Sequence, residues 1–240
     1  MLAYMGSKLF WLKHAKSVYM LAVQSTFAIQ QRLRRHAPEL SPGPVHPRSA
    51  CVALVLAGPP EDASLCLIRR AERVGDRWSG HMALPGGRIE PEDPTLQLTA
   101  VRETHEEVGL DLSSAQYYGA LSQLQIHRGG EATDAVLAPF VFYAGERIPE
   151  LIPEPSEVAA AMWVKLRHLW DRGNHTVMMW TGKEAASARP GIRVGDRVVW
   201  GLTWRVLASF GNAVGVPLQS GLSVSSTGSS VSAASSQILP

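Results

Sequence analysis

The chain has 240 residues, of which 45% are hydrophobic and 18% are charged, and its formal net charge is +2. This composition is sufficient for one domain with a buried core, and no long run of lysine and arginine points to a nucleic-acid partner. Its two cysteines, Cys51 and Cys66, lie in apolar segments without metal-ligand spacing or a disulfide framework. We therefore expect both to be buried and reduced.

The first 38 residues contain no Asp or Glu, and six lysines and arginines are spread among apolar residues. This pattern is compatible with an organelle transit peptide, and its apolar runs are too short for a membrane span. The alternative is that Met20 is the true start of the chain and that the earlier residues are an extension. The segment TFAIQQRLRRHAPEL predicts a helix that can pack on the domain. We assign residues 1–45 to an amino-terminal arm and predict a cytoplasmic location, with the mitochondrion as the alternative.

Apolar segments farther along the chain predict strands at CVALVLAG, LCLIRRA, AVLAPFVFYAG and AAMWVKL, and WGLTWRVLASFGN predicts a late helix. Together with one strongly indicated helix between them, they predict a mixed α/β domain over residues 46–218. Residues 219–240 are rich in Ser, Gly and Ala, which predicts a disordered tail.

The strongly indicated helix runs from about Pro94 to Val108. Asp93 followed by Pro94 is typical of a helix start, because Asp caps free amide groups and proline tolerates the first helical position. Gly109 suits the left-handed position that follows a last turn. The sequence therefore predicts that Asp93 caps this helix.

Three glutamates, Glu103, Glu106 and Glu107, converge on this helix, although like charges at such spacing repel one another. A cluster of carboxylates suits a hard divalent cation, and Mg²⁺ in particular keeps waters and phosphate oxygens among its ligands. Arg102 is expected to act as an internal counter-ion that holds a glutamate by a forked hydrogen bond. The cluster therefore predicts a metal site.

Just before the helix, the Pro-Gly-Gly loop allows close backbone approach and unusual dihedral angles at Gly86 and Gly87. The alternative interpretation is that RETHEEVG is a solvated helix face, as most Glu-rich helices are. The coincidence of several fixed positions with this loop upstream and a terminal glycine downstream favours the metal site.

The segment GGRIEPEDPTLQLTAVRETHEEVGL resembles the Nudix box, G-x5-E-x7-R-E-U-x-E-E-x-G-U, in which U is aliphatic. The matching positions are Gly87, Arg102, Glu103, Glu106, Glu107, Gly109 and Leu110. Asp93 replaces the first glutamate and is followed by one residue more than the pattern, and Thr104 occupies an aliphatic position. The resemblance implies an αβα sandwich with a mixed sheet over roughly residues 49–212. It also implies hydrolysis of a nucleoside diphosphate linked to another group, with Mg²⁺ or Mn²⁺ as cofactor.

The same resemblance implies roles for the charged residues of the box. Glu103, Glu106 and Glu107 are the implied metal ligands, and Glu103, Glu106 and Arg102 are the implied catalytic residues. A bound divalent ion neutralises diphosphate oxygens and lowers the pKa of a coordinated water, while a carboxylate orients or deprotonates that water. Which carboxylate acts as general base varies within the superfamily and stays open here.

The preceding segment LIRRAERVGDRWSGHMALPGG is similar to a motif found before the box in coenzyme A diphosphatases. The matching positions are Arg70, Ala71, Gly80, Leu84, Pro85, Gly86 and Gly87, and Arg77 is displaced by an insertion. The similarity implies coenzyme A or an acyl derivative as the substrate. We expect Arg70, Arg77, Gly86 and Gly87 to bind it.

Two alternatives remain, namely the same chemistry on ADP-ribose or a dinucleotide, and a non-catalytic Nudix-fold binding protein. The intact acidic pairs of the box disfavour the binding protein. We expect a small nucleotide partner, no nucleic acid, no stable membrane insertion and a homodimer. Glu157 either lies near the substrate or caps a surface element, while Trp200 and Trp204, one turn apart, indicate core packing more than base stacking.

Overall fold

The computed structural model describes residues 25–41, 46–76, 78–128, 131–180 and 187–218. Arg77, residues 1–24 of the predicted arm and the predicted tail from residue 219 lie outside these ranges. Among the helices of the described ranges, none combines the length and apolarity needed to cross a membrane.

Runs of three or four strands are separated by helices along the described chain. The strands are β1 (Ala50–Ala57), β2 (Ser64–Arg70), β3 (Met82–Ala83), β4 (Gly86–Arg88), β5 (Gln116–Ala120), β6 (Leu124–Arg128), β7 (Glu131–Tyr143), β8 (Val158–Lys165), β9 (His175–Trp180), β10 (Ser187–Val194) and β11 (Arg197–Trp200). The helices are α1 (Thr26–Leu33), α2 (Leu96–Val108), α3 (Leu166–Trp170) and α4 (Gly201–Ala213), with one 3-10 turn at Arg172–Asn174. The four strands and both domain helices predicted from the sequence lie among these elements.

Within the described residues, eight strands form one mixed sheet around β1. Strand β1 pairs in parallel with β7 and antiparallel with β2 and β4. Its side chains alternate between two apolar clusters, with Leu54 and Leu56 in one and Cys51, Ala53 and Val55 in the other. Because β1 is buried on both faces, its sequence is a continuous apolar run.

Helices cover both faces of this sheet. Helix α2 contributes Ala100 and Val108 to the cluster that contains Cys51. Helices α1 and α4 contribute Ile29 and Phe210 to the opposite cluster. The sandwich is therefore αβα with a mixed sheet, as predicted, and α1 packs on the domain.

Both cysteines are buried, which confirms the expectation from the sequence. Burial raises the pKa of Cys51 and that of Cys66 to about 12. At neutral pH both side chains are therefore thiols, and they behave as small core hydrophobes.

The predicted start of α2 is wrong by two residues. The helix begins at Leu96, and Thr95 caps it by accepting a hydrogen bond from the backbone N–H of Leu98 at 3.2 Å. Asp93 cannot serve as the cap because its carboxylate is bound elsewhere, as described below. The predicted end is confirmed, since Gly109 adopts the left-handed conformation with φ of 69°.

Strands β9, β10 and β11 form a second, antiparallel sheet that the sequence did not predict. Strand β10 is its middle strand, yet it contains Pro190 and Gly191. Proline cannot donate to a sheet ladder and glycine weakens strands, so these two residues hide the strand from a pattern-based prediction.

Candidate active site

The centre of the candidate site is the contact between the glycine loop and helix α2. Gly86 has a φ of 147°, and a Cβ there would lie 2.1 Å from the carbonyl oxygen of Cys51. No other residue type therefore fits this close approach to β1. The position aims the backbone N–H of Gly86 at Glu107 Oε2, which accepts a hydrogen bond at 2.8 Å.

The neighbouring glycine makes room for a second carboxylate. A Cβ on Gly87 would lie 2.3 Å from Oε1 and 2.4 Å from Oε2 of Glu103. The carboxylate of Glu103 thus lies directly against the backbone of the loop. The two glycines, predicted as substrate-binding residues, are in the structure the surface against which Glu103 and Glu107 are placed.

The glutamates of α2 differ strongly in exposure. Glu107 is buried, with 2% of its surface exposed, and the side chain of Glu103 is 13% exposed, whereas that of Glu106 is 54% exposed. Burial raises the pKa of Glu107 to about 7, although the hydrogen bond from Gly86 opposes this shift. Burial also raises the pKa of Glu103, and the charge of Arg102 opposes that shift. Two of the carboxylates are therefore largely buried, and the third is exposed.

Arg102 offsets part of this negative charge. Its Nε and Nη2 donate to the two carboxylate oxygens of Asp93 at 3.0 and 2.9 Å, and its Nη1 donates to Glu106 Oε2 at 2.9 Å. The same Nη1 lies 3.2 Å from Glu103 Oε1. The predicted fork exists, but it binds Asp93 and not a glutamate. The hydrogen bonds from Arg102 hold the pKa of Asp93 far below its usual range.

Asp93 has further partners that explain why it does not cap α2. It accepts hydrogen bonds from the hydroxyl of Thr99 at 3.0 Å and from the backbone N–H of Glu90 at 2.9 Å. Asp93 therefore fastens the loop, the helix and Arg102 to one another.

The carboxylate oxygens of the site suit a divalent cation that keeps part of its hydration shell. Among the described residues, no group of three Asp, Glu, His or Cys side chains is placed to hold a metal ion, so Glu103, Glu106 and Glu107 do not form a three-carboxylate site. Mg²⁺ does not need one, because it retains waters and binds substrate phosphate oxygens beside one or two carboxylates. Glu103 and Glu107, with oxygen-only donors and burial that penalises their charge, suit such an ion, and Arg102 links the exposed Glu106 to Glu103.

Of the two predicted substrate-binding arginines, Arg70 lies beside this site and Arg77 lies outside the described residues. Arg70 ends β2, and its charge opposes the rise that burial causes in the pKa of Glu107. Its Nη2 contacts Asp76 Oδ2 at 3.1 Å, and its buried Nε has no hydrogen-bond partner in the described part of the chain. The sequence did not indicate the pairing with Asp76.

Glu157, which the sequence left undecided, interacts electrostatically with the two buried glutamates. Its charge raises the pKa of both Glu103 and Glu107. Arg73 holds it through a contact of 3.1 Å between Nη2 and Glu157 Oε1. The Glu-Val pair that precedes β8 was the signal in the sequence that could have located it.

The chain is similar to a known domain family and to several known proteins. The NUDIX domain family model matches residues 46–181. A Schizosaccharomyces pombe protein, C14C4.10c, is 37% identical over 158 residues, which cover 58% of this chain and 47% of that protein. The human mitochondrial coenzyme A diphosphatase NUDT8 is 29% identical over 159 residues, with 65% of each chain covered. The crystal structure of a MutT/nudix family protein from Enterococcus faecalis has a TM-score of 0.49 and 18% identity, covering 79% of this chain and 74% of that one.

The chain belongs to the Nudix family, because the family model matches more than half of its length. The predicted family and fold are confirmed, and the predicted enzyme class, a Nudix hydrolase, is confirmed at the level of the family. The match spans about half the length of the fission-yeast relative and about two thirds of human NUDT8.

Proposed function

We propose that the protein hydrolyses the diphosphate bond of coenzyme A or of an acyl-coenzyme A-like nucleoside diphosphate derivative, with a divalent metal ion. The observation that carries this proposal is the pair of buried carboxylates, Glu103 and Glu107, held against Gly86 and Gly87. A buried carboxylate pair is costly unless a positive ligand compensates it. Mg²⁺ or Mn²⁺ supplies that charge together with diphosphate chemistry.

The charged residues of the site have different roles in the proposed reaction. Glu103 and Glu107 would hold the ion, and the exposed Glu106, which Arg102 links to Glu103, would assist them. The ion, when bound, neutralises diphosphate oxygens and makes a coordinated water more acidic. Glu103 or Glu106 orients that water or accepts its proton. Arg102 acts as a positioning residue, because it fixes Asp93 with its fork and restrains both glutamates through Nη1.

The choice of substrate rests on two observations. The segment before the box resembles that of coenzyme A diphosphatases, and a relative named as such, NUDT8, is 29% identical to this chain. Arg70, which pairs with Asp76 and interacts electrostatically with Glu107, supports a phosphate-binding role in this proposal. Coenzyme A carries three phosphates at its nucleotide end, and guanidinium groups bind phosphates well.

Purified protein should be assayed with Mg²⁺ or Mn²⁺ against coenzyme A, acyl derivatives, ADP-ribose and dinucleoside polyphosphates. We expect 4'-phosphopantetheine and an adenosine bisphosphate from coenzyme A, and no turnover in excess chelator. Faster turnover of ADP-ribose or a dinucleotide would overturn the assignment of coenzyme A as the substrate and leave the proposed diphosphate hydrolysis intact. Undiminished turnover in chelator would overturn the metal site, and nucleotide binding without turnover of any substrate would identify a binding protein.

The location and assembly of the protein stay predictions. NUDT8 is named as a mitochondrial protein, which supports the mitochondrial alternative to a cytoplasmic location. Fluorescent fusions of the full chain and of a variant that lacks residues 1–24 would separate the two, because only a targeting segment makes import depend on these residues. Light scattering of the purified chain would test the predicted homodimer.

A further inference from the structure

Three aromatic rings, those of His81, Trp200 and Trp180, follow one another from the residue before β3 to the second sheet. The ring centroids of His81 and Trp200 are 4.9 Å apart, and those of Trp200 and Trp180 are 5.3 Å apart, with interplanar angles of 49° and 40°. Trp180 is 38% exposed, and the other two residues are half-buried. These rings pack against one another while part of their surface stays accessible.

The two tryptophans belong to one face of the second sheet. Trp200 pairs with Gly191, and Gly191 pairs with Thr176. Since side chains alternate along a strand, Thr176 and Trp180 project from the same face as Trp200, and Met179 projects from the other. Trp204 differs from both, because it packs against the main core cluster. The expectation of core packing is therefore confirmed for Trp204, whereas Trp200 contacts His81 and Trp180.

Arg70 connects these rings to the carboxylates. Its backbone N–H donates to the carbonyl oxygen of His81 at 3.0 Å. Burial lowers the pKa of His81, Asp76 opposes this shift and Arg70 adds to it, and the charge of Arg70 also opposes the rise in the pKa of Glu107. His81 precedes β3, which leads directly into the loop of Gly86. Arg70 thus contacts the residue that begins the series of rings and interacts electrostatically with Glu107, as a group between the base and the phosphates of a nucleotide would.

We propose that His81, Trp200 and Trp180 form a stacking platform for the nucleobase of the substrate. The proposal rests on the proposed function, since it takes the phosphates to lie at Arg70 and at Glu103 and Glu107. Aromatic side chains stack on the face of any base, so we expect adenine and guanine nucleotides to bind with similar affinity. The aliphatic part of an acyl-coenzyme A has no flat face and cannot stack. If that part lay on the rings, a smaller apolar residue could replace Trp without loss of stacking.

The test compares Trp180→Ala, Trp180→Phe and Met179→Ala by titration calorimetry with AMP and with ribose 5-phosphate, both in Mg²⁺. Met179 is the control because it is 61% exposed and lies on the opposite face. Stacking on an aromatic side chain changes affinity by roughly tenfold or more. We expect Trp180→Ala to weaken AMP binding by about tenfold and to leave ribose 5-phosphate binding unchanged. Trp180→Phe should restore most of the affinity, and Met179→Ala should bind as the unchanged chain does.

Equal AMP affinity in Trp180→Ala and the unchanged chain would overturn the platform, as would an equal loss for AMP and ribose 5-phosphate. Hydrolysis assays on the same samples separate this result from the proposed function. A chain that hydrolyses coenzyme A but binds AMP independently of Trp180 keeps the function and loses the platform. A chain that loses AMP affinity in Trp180→Ala but hydrolyses no diphosphate keeps the platform and loses the function.

Discussion

In the loop and helix of residues 84–109, polar groups of the candidate site are held by partners from the same segment, whereas the second sheet presents accessible aromatic rings. Glu107 accepts from Gly86, and Asp93 binds Arg102 through two hydrogen bonds. Trp180 contacts Trp200 and remains 38% exposed. A metal and a scissile bond require charges at fixed positions. A flat base tolerates a platform that is less constrained.

The largest effect is expected at Gly86, in the loop that positions the carboxylates. Gly86→Ala places a Cβ 2.1 Å from the carbonyl oxygen of Cys51, so backbone must move and the hydrogen bond to Glu107 is lost. We expect the free energy of unfolding to fall by about 3 kcal/mol or more, and turnover to fall with it. Chemical denaturation and an assay at saturating metal measure both.

Gly145→Ala is the matched control for Gly86→Ala. Gly145 also has a positive φ, of 102°, but no described atom lies within 4 Å of a Cβ added there. It should cost only the conformational strain of about 1 to 2 kcal/mol and leave turnover unchanged. If the two variants behaved alike, the close approach of the loop to β1 would not be what positions Glu107.

Glu107→Gln removes the charge of the most buried carboxylate and keeps an oxygen that can accept from Gly86. Turnover should fall at least ~100-fold, because the group that holds the metal loses its charge. The melting temperature in chelator should not fall, since burial penalises the ionised form of Glu107. Glu92→Gln, at an exposed position before α2, is the control. Near-normal turnover in Glu107→Gln would move the metal site elsewhere.

Arg70 lies between the two regions, and Arg70→Ala tests whether it links them functionally. A charge-assisted contact to phosphate contributes about 1.5 to 3 kcal/mol, so kcat/KM should fall roughly ten- to a hundredfold. Dephospho-coenzyme A identifies the phosphate. A defect that shrinks on this substrate assigns Arg70 to the 3'-phosphate, and a defect of equal size assigns it to the diphosphate.

Asp76→Asn is the control for Arg70→Ala, because it breaks the ion pair with Asp76 and retains the guanidinium. We expect it to change kcat/KM by less than Arg70→Ala does. Equal effects would mean that Arg70 contributes through the local structure it shares with Asp76, and the assignment to substrate binding would then be wrong.

The loop and helix could be predicted because their constraints are local. Gly109 ends α2 as expected, and Glu103 and Glu107 share one face because they are four residues apart. The errors arose where two residues competed for one role. Asp93 was a credible helix cap, but a salt bridge with Arg102, nine residues away, binds it more strongly than the first turn of the helix can.

The aromatic region could not be predicted because its contacts are distant in sequence. Trp200 contacts His81 across more than one hundred residues, and no spacing rule relates the two positions. Strand β10 was hidden by Pro190 and Gly191. The parallel pairing of β1 with β7 was not predicted for the same reason, since a pattern of apolar residues predicts a strand and not the strand beside it.

The smallest effect is expected at Thr95, which stabilises helix α2 but has no role in holding the carboxylates of the site. Thr95 is exposed and caps α2 through one hydrogen bond to the N–H of Leu98, so Thr95→Ala removes the cap and little packing. The free energy of unfolding should fall by about 1 kcal/mol, and turnover should be unchanged because Asp93 and Arg102 still fasten the loop to the helix. Thr95→Ser keeps the hydroxyl and should restore the stability. A fall in turnover comparable to that of Glu107→Gln would show that the helix start, and not the network around Arg102, sets the position of the carboxylates.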